Sequence, residues 1–462
     1  MSELIAGSSD VAGLPLVPPN PLPLRQRMTA TRQYHAGQVQ LREAGGPVTR
    51  VVLGPSNFGP SIVFVMSPAG ARDVLARNNE WCDRTLVHHE MRQLMGDNLA
   101  NLPNVPWRSR KRTLQPVFTR QHVSTFGHHM ADAAETVARE WGVAANVDLD
   151  AEARRLTMRV LGRSVLGMEL GGRAEALADS LSVALAYVVD RGTRPVRAPH
   201  WLLTPARGRA RAAVASMREL ASEVVTACRA HPDRDAPLVH ALIHATDPET
   251  GQTLSDFDIG NDLIAFMFAG YDTTATTLAY AMWQVGRSPD IQRGIAQEVA
   301  ALGDRALTPD DVASLGYTVQ VLREALRLCP PVAVAGRTAM RDIAVDGYRV
   351  PAGSMILVGV FGMHRDPALW PDPLTFAPER FSPEHMSKLD RWQYIPFGAG
   401  PRTCIGDHYA MLEATLALAT IVRTVEIESI APEFPFAVPF TLVAGAPIPA
   451  RVKRRSKTYT EL

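Results

Sequence analysis

Eleven residues, Pro396-Phe397-Gly398-Ala399-Gly400-Pro401-Arg402-Thr403-Cys404-Ile405-Gly406, hold three glycines, two prolines, one arginine and one cysteine just before a helical pattern. A loop of that composition suits the holding of one sulfur. The pattern through Tyr409, Leu412 and Leu416 predicts a helix with Cys404 at its start. Free backbone N–H groups and the positive helix end there favour a thiolate. Gly398, Gly400 and Gly406 can take conformations closed to other residues and bring the backbone close to a flat cofactor. Two plainer readings stand beside this one. Cys404 can be a buried structural cysteine, or it can pair with His408 as a zinc ligand, although two further ligands are not evident nearby.

A second group, Ala269-Gly270-Tyr271-Asp272-Thr273-Thr274, puts an acid, an alcohol and a glycine in one helical turn, with Ala269 and Thr273 on one face. Glycine in mid-helix costs about 1 kcal/mol relative to alanine, and threonine also disfavours regular helix, so a local widening or kink is expected here. The plainer alternative is a Thr-rich core helix with one surface acid. Glu324-Ala325-Leu326-Arg327 sets opposite charges three apart, an arrangement worth only about 0.2–0.5 kcal/mol when exposed.

The elements that must position these groups are mostly helical. Apolar residues recur at helical spacing through Ala69 to Arg77, Val105 to Phe118, Met130 to Trp141, Ala151 to Leu166, Ala174 to Val188 and Pro205 to Arg229. A long helix is expected from Ser255 or Asp256, as cap, through Ile259, Leu263, Phe266 and Ala269 toward Val285. Pro309 to Leu315 and Tyr317 to Leu328 follow. Thr49 to Leu53 and Ser61 to Met66 read as a small hairpin, and Ile343 to Val350 with Ser354 to Val360 as a second small sheet. Short strands close the chain from Phe440 to Val452. The fold class is mainly α with small β-sheets. Residues 1–24 are a Pro-rich lead-in, extended over the surface. Residues 25–462 form one catalytic domain.

Composition narrows the function classes. Lys+Arg number 48 against 47 Asp+Glu, so nothing in the totals suggests nucleic-acid binding. Cys82, Cys228, Cys329 and Cys404 lack paired spacing, which argues against a disulfide framework and a four-thiolate zinc site. No window reaches the ~18 consecutive apolar residues of a spanning helix, and no leader pattern opens the chain. A cytoplasmic protein without a membrane anchor is the expectation. His88, His89 and His128 invite a metal reading, but without matching partners they read as ordinary surface or loop histidines.

Phe397-x-x-Gly400-x-Arg402-x-Cys404-x-Gly406 resembles, position for position, the haem-thiolate loop of the cytochrome P450 family. Asp272 and Thr273 resemble the acid and alcohol of that family's oxygen-activation groove, which relay protons to bound dioxygen. Glu324 and Arg327 with Arg380, in Pro378-Glu379-Arg380-Phe381, resemble its structural ion cluster. The motifs keep the family's order, with 52 residues from Asp272 to Glu324 and 80 from Glu324 to Cys404. The resemblance implies the P450 fold, with haem b (protoporphyrin IX iron) between the long helix and the Cys-bearing helix. Cys404 is the implied iron ligand, with Phe397, Gly398 and Gly406 beside it. Arg402, Arg337, Trp107 and Lys111 are the implied holders of the haem propionates. The family often has arginine or histidine in place of Lys111.

Thiolate ligation favours O–O cleavage over reversible oxygen carriage. The expectation is a monooxygenase acting on O2 and an apolar small molecule such as a terpene, fatty acid, steroid or polyketide-like compound. Phe266, Ala269, Gly270, Val332, Val334 and Ala335 are expected to line its pocket, with Thr85 to Leu99 and Leu181 to Val189 as lids. No reductase is expected within the chain, so a separate ferredoxin and its reductase, or a flavodoxin, is expected to deliver electrons. Arg108, Arg110, Lys111 and Arg112 are a candidate docking surface. Two alternatives remain: an isomerase, dehydratase or peroxide-using enzyme of the same fold, and a non-enzymatic haem ligand sensor.

Overall fold

A computed structural model describes residues 11–53, 61–141, 146–194 and 197–455. The chain forms two compact units. One gathers Met1–Leu86, Leu326–Thr375 and Pro383–Cys404; the other gathers Val87–Ala325, Phe376–Ser382 and Ile405–Leu462.

The first unit is built on a five-stranded sheet of β1 (Val48–Val52), β2 (Ser61–Val65), β3 (Cys82–Asp83), β4 (Val334–Ala339) and β5 (Met355–Gly359), in the order β1-β2-β5-β4-β3. The continuous apolar run Ile62-Val63-Phe64-Val65 explains the central place of β2, because a strand buried on both faces needs no polar alternation. Val63 and Val65 pack with Ile356 and Val358 on one face, and Ile62 and Phe64 with Leu357 on the other. The expected hairpin is therefore present as antiparallel β1 and β2. Its turn, with Gly54, Pro55, Gly59 and Pro60, lies outside the described residues.

The expected second sheet is corrected. Only Ile343–Val345 and Tyr348–Val350 form a separate hairpin, while β5 pairs parallel with β2 and antiparallel with β4. Within the Pro-rich lead-in Val17 and Asn20 are buried: Asn20 Nδ2 donates to the Leu41 carbonyl at 2.8 Å and its backbone N–H to the Arg50 carbonyl of β1 at 2.8 Å.

The second unit is helical. It contains α1 (Asn104–Leu114), α2 (Gly127–Trp141), α3 (Leu149–Val160), α4 (Pro205–Ala230) and α5 (Asp256–Val285). It also contains most of α6 (Gly316–Leu328) and all of α7 (Asp407–Thr424). Ser255 caps α5, its Oγ accepting the Asp258 N–H at 3.1 Å. From Thr274 to Trp283 every residue of α5 is buried, the mark of a helix enclosed on all sides. Helices α3, α4 and α7 pack against it. Among the described residues no helix is long and apolar enough to cross a membrane.

Candidate active site

The cysteine loop closes on itself through backbone bonds. The Gly398 N–H donates to the Ile395 carbonyl at 3.0 Å, Thr403 N–H to Gly400 at 3.1 Å, and Cys404 N–H to Phe397 at 2.9 Å. Gly398 and Gly400 hold φ of +72° and +74°, the left-handed region where side chains are strained. A Cβ on Gly400 would also meet the Leu75 carbonyl oxygen at 2.1 Å. Gly406 differs from expectation: it sits at φ −98° as the N-cap of α7, whose first residue, Asp407, follows Cys404 by three. The Cys404 side chain is exposed.

Three guanidiniums gather in the same unit. Burial and the neighbouring Arg337 pull Arg402 down to about 10, with Asp83 opposing. Burial likewise lowers Arg337. Arg84 lies well below its ordinary value through burial and then through Arg337 and Arg402. Asp83 accepts from the Arg84 N–H at 2.7 Å and lies 3.6 Å from Arg402 Nη2. Three cations against one carboxylate leave an excess of two positive charges. The Nε atoms of Arg84 and Arg337 are buried and have no hydrogen-bond partner among the described residues. Such groups are costly unless an anion meets them. A cofactor bearing two carboxylates and an iron for Cys404 fits this donor set in charge and in kind.

In the second unit, α5 carries the acid and alcohol. Asp272 Oδ1 accepts from Arg154 Nη1 on α3, and Arg154 Nε donates to Asp150 Oδ2 at 2.8 Å. Thr273 Oγ1 donates to the Ala269 carbonyl at 2.5 Å. Trp107 is buried and Lys111 half-buried on α1. Glu324 is fully buried on α6; its Oε1 accepts the Ala377 N–H at 2.9 Å and lies 3.5 Å from Arg380 Nε. In the first unit the equally buried Arg327 donates to the carbonyls of His364 at 2.8 Å, Pro373 at 2.7 Å and Thr375 at 3.1 Å.

The family model described as cytochrome P450 matches residues 15–441. The chain belongs to the cytochrome P450 family. It is 32% identical to a cyclooctat-9-en-7-ol 5-monooxygenase of Streptomyces melanosporofaciens, over 82% of each chain. It is 28% identical to a pentalenene oxygenase of Streptomyces avermitilis, over 82% of this chain and 84% of the relative. The crystal structure of a cytochrome P450DA haem domain shares the fold, with a TM-score of 0.84 at 24% identity over 96% of this chain and 98% of that one. The protein is thus a P450 monooxygenase with haem as its cofactor. Its reaction takes O2, an apolar substrate and electrons from a redox partner.

Against this frame several expectations change. The P450 shows no widening of α5 at Gly270 to Thr274: the α-helix runs unbroken from Asp256 to Val285, and the Thr273 hydroxyl donates to the helix's own Ala269 carbonyl. The basic docking surface is reduced. Arg110 is spent on Asp258 at 2.7 Å and Asp262 at 2.6 Å, and Arg112 on Asp247 at 3.0 Å and Glu249 at 3.2 Å. Of the expected pocket residues, Phe266, Ala269 and Gly270 share α5, and Phe266 meets Phe118 edge-on with ring centroids 5.1 Å apart. Val332 is exposed, and Val334 and Ala335 are half-buried on β4. Cys404 and His408 gain no zinc partners: among the described residues the one cluster with metal-ligand spacing lies elsewhere. Arg84, Asp83, Arg154 and His364 are the residues that sequence reasoning missed.

Proposed function

We propose that this P450 hydroxylates a cyclic terpene, with electrons from a ferredoxin and its reductase or from a flavodoxin. The terpene reading draws on the two relatives above, whose names specify a cyclic alkenol and the hydrocarbon pentalenene as substrates. The apolar character of Phe266, Ala269 and Gly270 in the second unit, and of Val332, Val334 and Ala335 in the first, suits such a skeleton, which offers shape and few hydrogen-bonding groups.

Cys404, as thiolate, would hold the iron, and Phe397, Gly398 and Gly406 would shape its surroundings. Haem supplies oxygen activation when bound, favoured by the electron density of a thiolate ligand. Arg337, Arg402 and Arg84 would hold the two propionates from the first unit, and Trp107 and Lys111 are the candidate holders carried by the second. In the proton relay, the Thr273 hydroxyl leaves the Ala269 carbonyl and donates from Oγ1 into the pocket. Once its carboxylate turns from Arg154, Asp272 takes a proton from solvent and passes it through water to replace the one that Thr273 gave. Arg154 is a positioning residue that sets how often Asp272 turns. Glu324, Arg380 and Arg327 fix backbone and take no part in the chemistry.

The observation that carries the reading is the exposed Cys404 thiol in the same unit as a cluster with two excess positive charges. The test is reconstitution with a bacterial ferredoxin, its reductase and NADPH under 18O2, offering cyclic sesquiterpenes and diterpenes beside fatty acids and steroids. One 18O atom in a terpene product is expected. Oxygenation of the fatty acids or steroids with every terpene left untouched overturns the substrate class.

A further inference from the structure

The first turn of α2 sets His128 and His129 side by side, ring centroids 3.8 Å apart. The loop after α4 brings Asp235 to both. His129 Nε2 lies 3.5 Å from Asp235 Oδ1 and His128 Nε2 lies 3.9 Å from Oδ2. One donor atom from each of the three residues falls within 4.8 Å of the others. These separations are longer than the usual N–H···O range of about 2.7–3.2 Å. They are close to the ~3.4 Å that separates ligands on a tetrahedral zinc with bonds of about 2.0–2.1 Å.

Two independent features suit these donors to a shared ligand. The His129 side chain is only 9% exposed, and its Nε2 has no hydrogen-bond partner among the described residues. A buried imidazole nitrogen left in that state is costly in a folded protein. On His128, Nδ1 lies 3.1 Å from the Thr125 carbonyl. A carbonyl only accepts, so Nδ1 donates there and leaves Nε2 as the nitrogen that faces Asp235, the arrangement that orients metal-bound imidazoles.

The backbone that carries Asp235 is tied to its surroundings. Arg234 Nη2 donates to the Gly167 carbonyl at 3.0 Å, and the Arg234 carbonyl is bonded to His240 Nε2 at 2.9 Å. Gly167, at φ +61°, approaches so closely that a Cβ there would stand 2.8 Å from the Asp235 carbonyl oxygen. The loop thus presents Asp235 to His128, 107 positions earlier in the chain.

We propose that His128, His129 and Asp235 form a zinc(II) site, with water as the fourth ligand on the exposed side of His128. Zinc bound there cross-links the start of α2 to the loop after α4. Because only the folded chain assembles the three ligands, the ion stabilises the fold by mass action.

The test uses untagged holoenzyme titrated with zinc sulfate against a chromophoric chelator, with thermal unfolding followed in parallel. One zinc per chain, separate from the haem iron by elemental analysis, and a rise in Tm are expected. His128→Ala and Asp235→Asn alter exposed side chains, so both variants should keep the parent's haem spectrum and zinc-free Tm. Each should lose at least about tenfold in zinc affinity and lose the zinc-dependent rise in Tm. Zinc left unbound by the parent, or bound equally by both variants, overturns the site. So does an equal response to magnesium or calcium, since imidazole ligands do not suit those hard cations.

Discussion

His364 Nε2 accepts the Ile395 N–H at 3.0 Å, joining the segment that receives Arg327 to the segment that opens the cysteine loop. Arg327 donates to the His364 carbonyl, His364 accepts from Ile395, the Ile395 carbonyl accepts from Gly398, and the Phe397 carbonyl accepts from Cys404. Four successive contacts thus run from a fully buried guanidinium to the residue that carries the sulfur. The His364 ring stacks on Tyr394, centroids 5.3 Å apart, which fixes its orientation.

His364→Phe keeps the stack and removes the acceptor. A buried Ile395 N–H left unpaired costs about 1–3 kcal/mol. Haem per chain should fall, and Tm should drop, when both are measured on protein purified in parallel. Parent values for both would detach His364 from the loop.

Burial holds His364 at about 3, with Arg327 and Arg365 adding to the effect. The folded state therefore keeps the ring neutral where the unfolded chain, near 6.5, takes a proton. Stability is present above about pH 6.5 and declines by up to about 1.4 kcal/mol per unit as pH falls toward 3. Urea unfolding at pH 7.5 and 5.5 should show a smaller difference for His364→Phe than for the parent. An identical difference would place the titration elsewhere.

Glu413, buried on α7 with Oε1 unpartnered among the described residues, is pushed well above the ordinary carboxyl range by burial. The folded state keeps its proton while the unfolded chain releases it above about pH 4.3, so stability falls as pH rises from there. Glu413→Gln removes the penalty. The variant should unfold at higher urea than the parent at pH 8, and with little difference near pH 4.5. Equal midpoints at pH 8 would mean that Glu413 finds a partner in solution.

Arg337→Gln removes one cation of the three that gather with Asp83. Charge-assisted bonds contribute about 1.5–3 kcal/mol, so haem should transfer to apomyoglobin about 10–100-fold faster. Unchanged transfer would separate Arg337 from the propionates.

Thr273→Ala leaves haem and substrate binding intact but removes the hydroxyl that now donates to Ala269. Electrons should be diverted to peroxide, seen as NADPH consumed in excess of product. Fully coupled turnover would take Thr273 out of the relay.

The cysteine loop was legible in the sequence because its chemistry is local: glycines at positive φ and an arginine two before the sulfur need no distant partner to be recognised. The start of α5 was legible for the same reason, as a cap at Ser255 or Asp256, of which the structure uses Ser255. The place of β5 was not, because its pairing with β2 joins strands nearly 300 residues apart in a sheet that no local pattern announces. Arg84 looked like any basic residue after a short strand, and its importance arises only when Arg337 and Arg402 arrive from elsewhere in the chain. Arg110 and Arg112 read as a free basic surface because their acidic partners lie 152 and 135 positions away. His128 was dismissed for want of partners; the nearest was its own neighbour, and the third, Asp235, is brought in by tertiary structure.

The proposed ligation of the haem iron by Cys404 is tested most directly by the absorbance of the reduced protein under carbon monoxide. The parent should show the red-shifted Soret band of a thiolate-ligated haem, and Cys404→Ser should lose it while still binding haem. A parent band at the position of imidazole or neutral-thiol ligation, or a Cys404→Ser spectrum that matches the parent, would contradict the account.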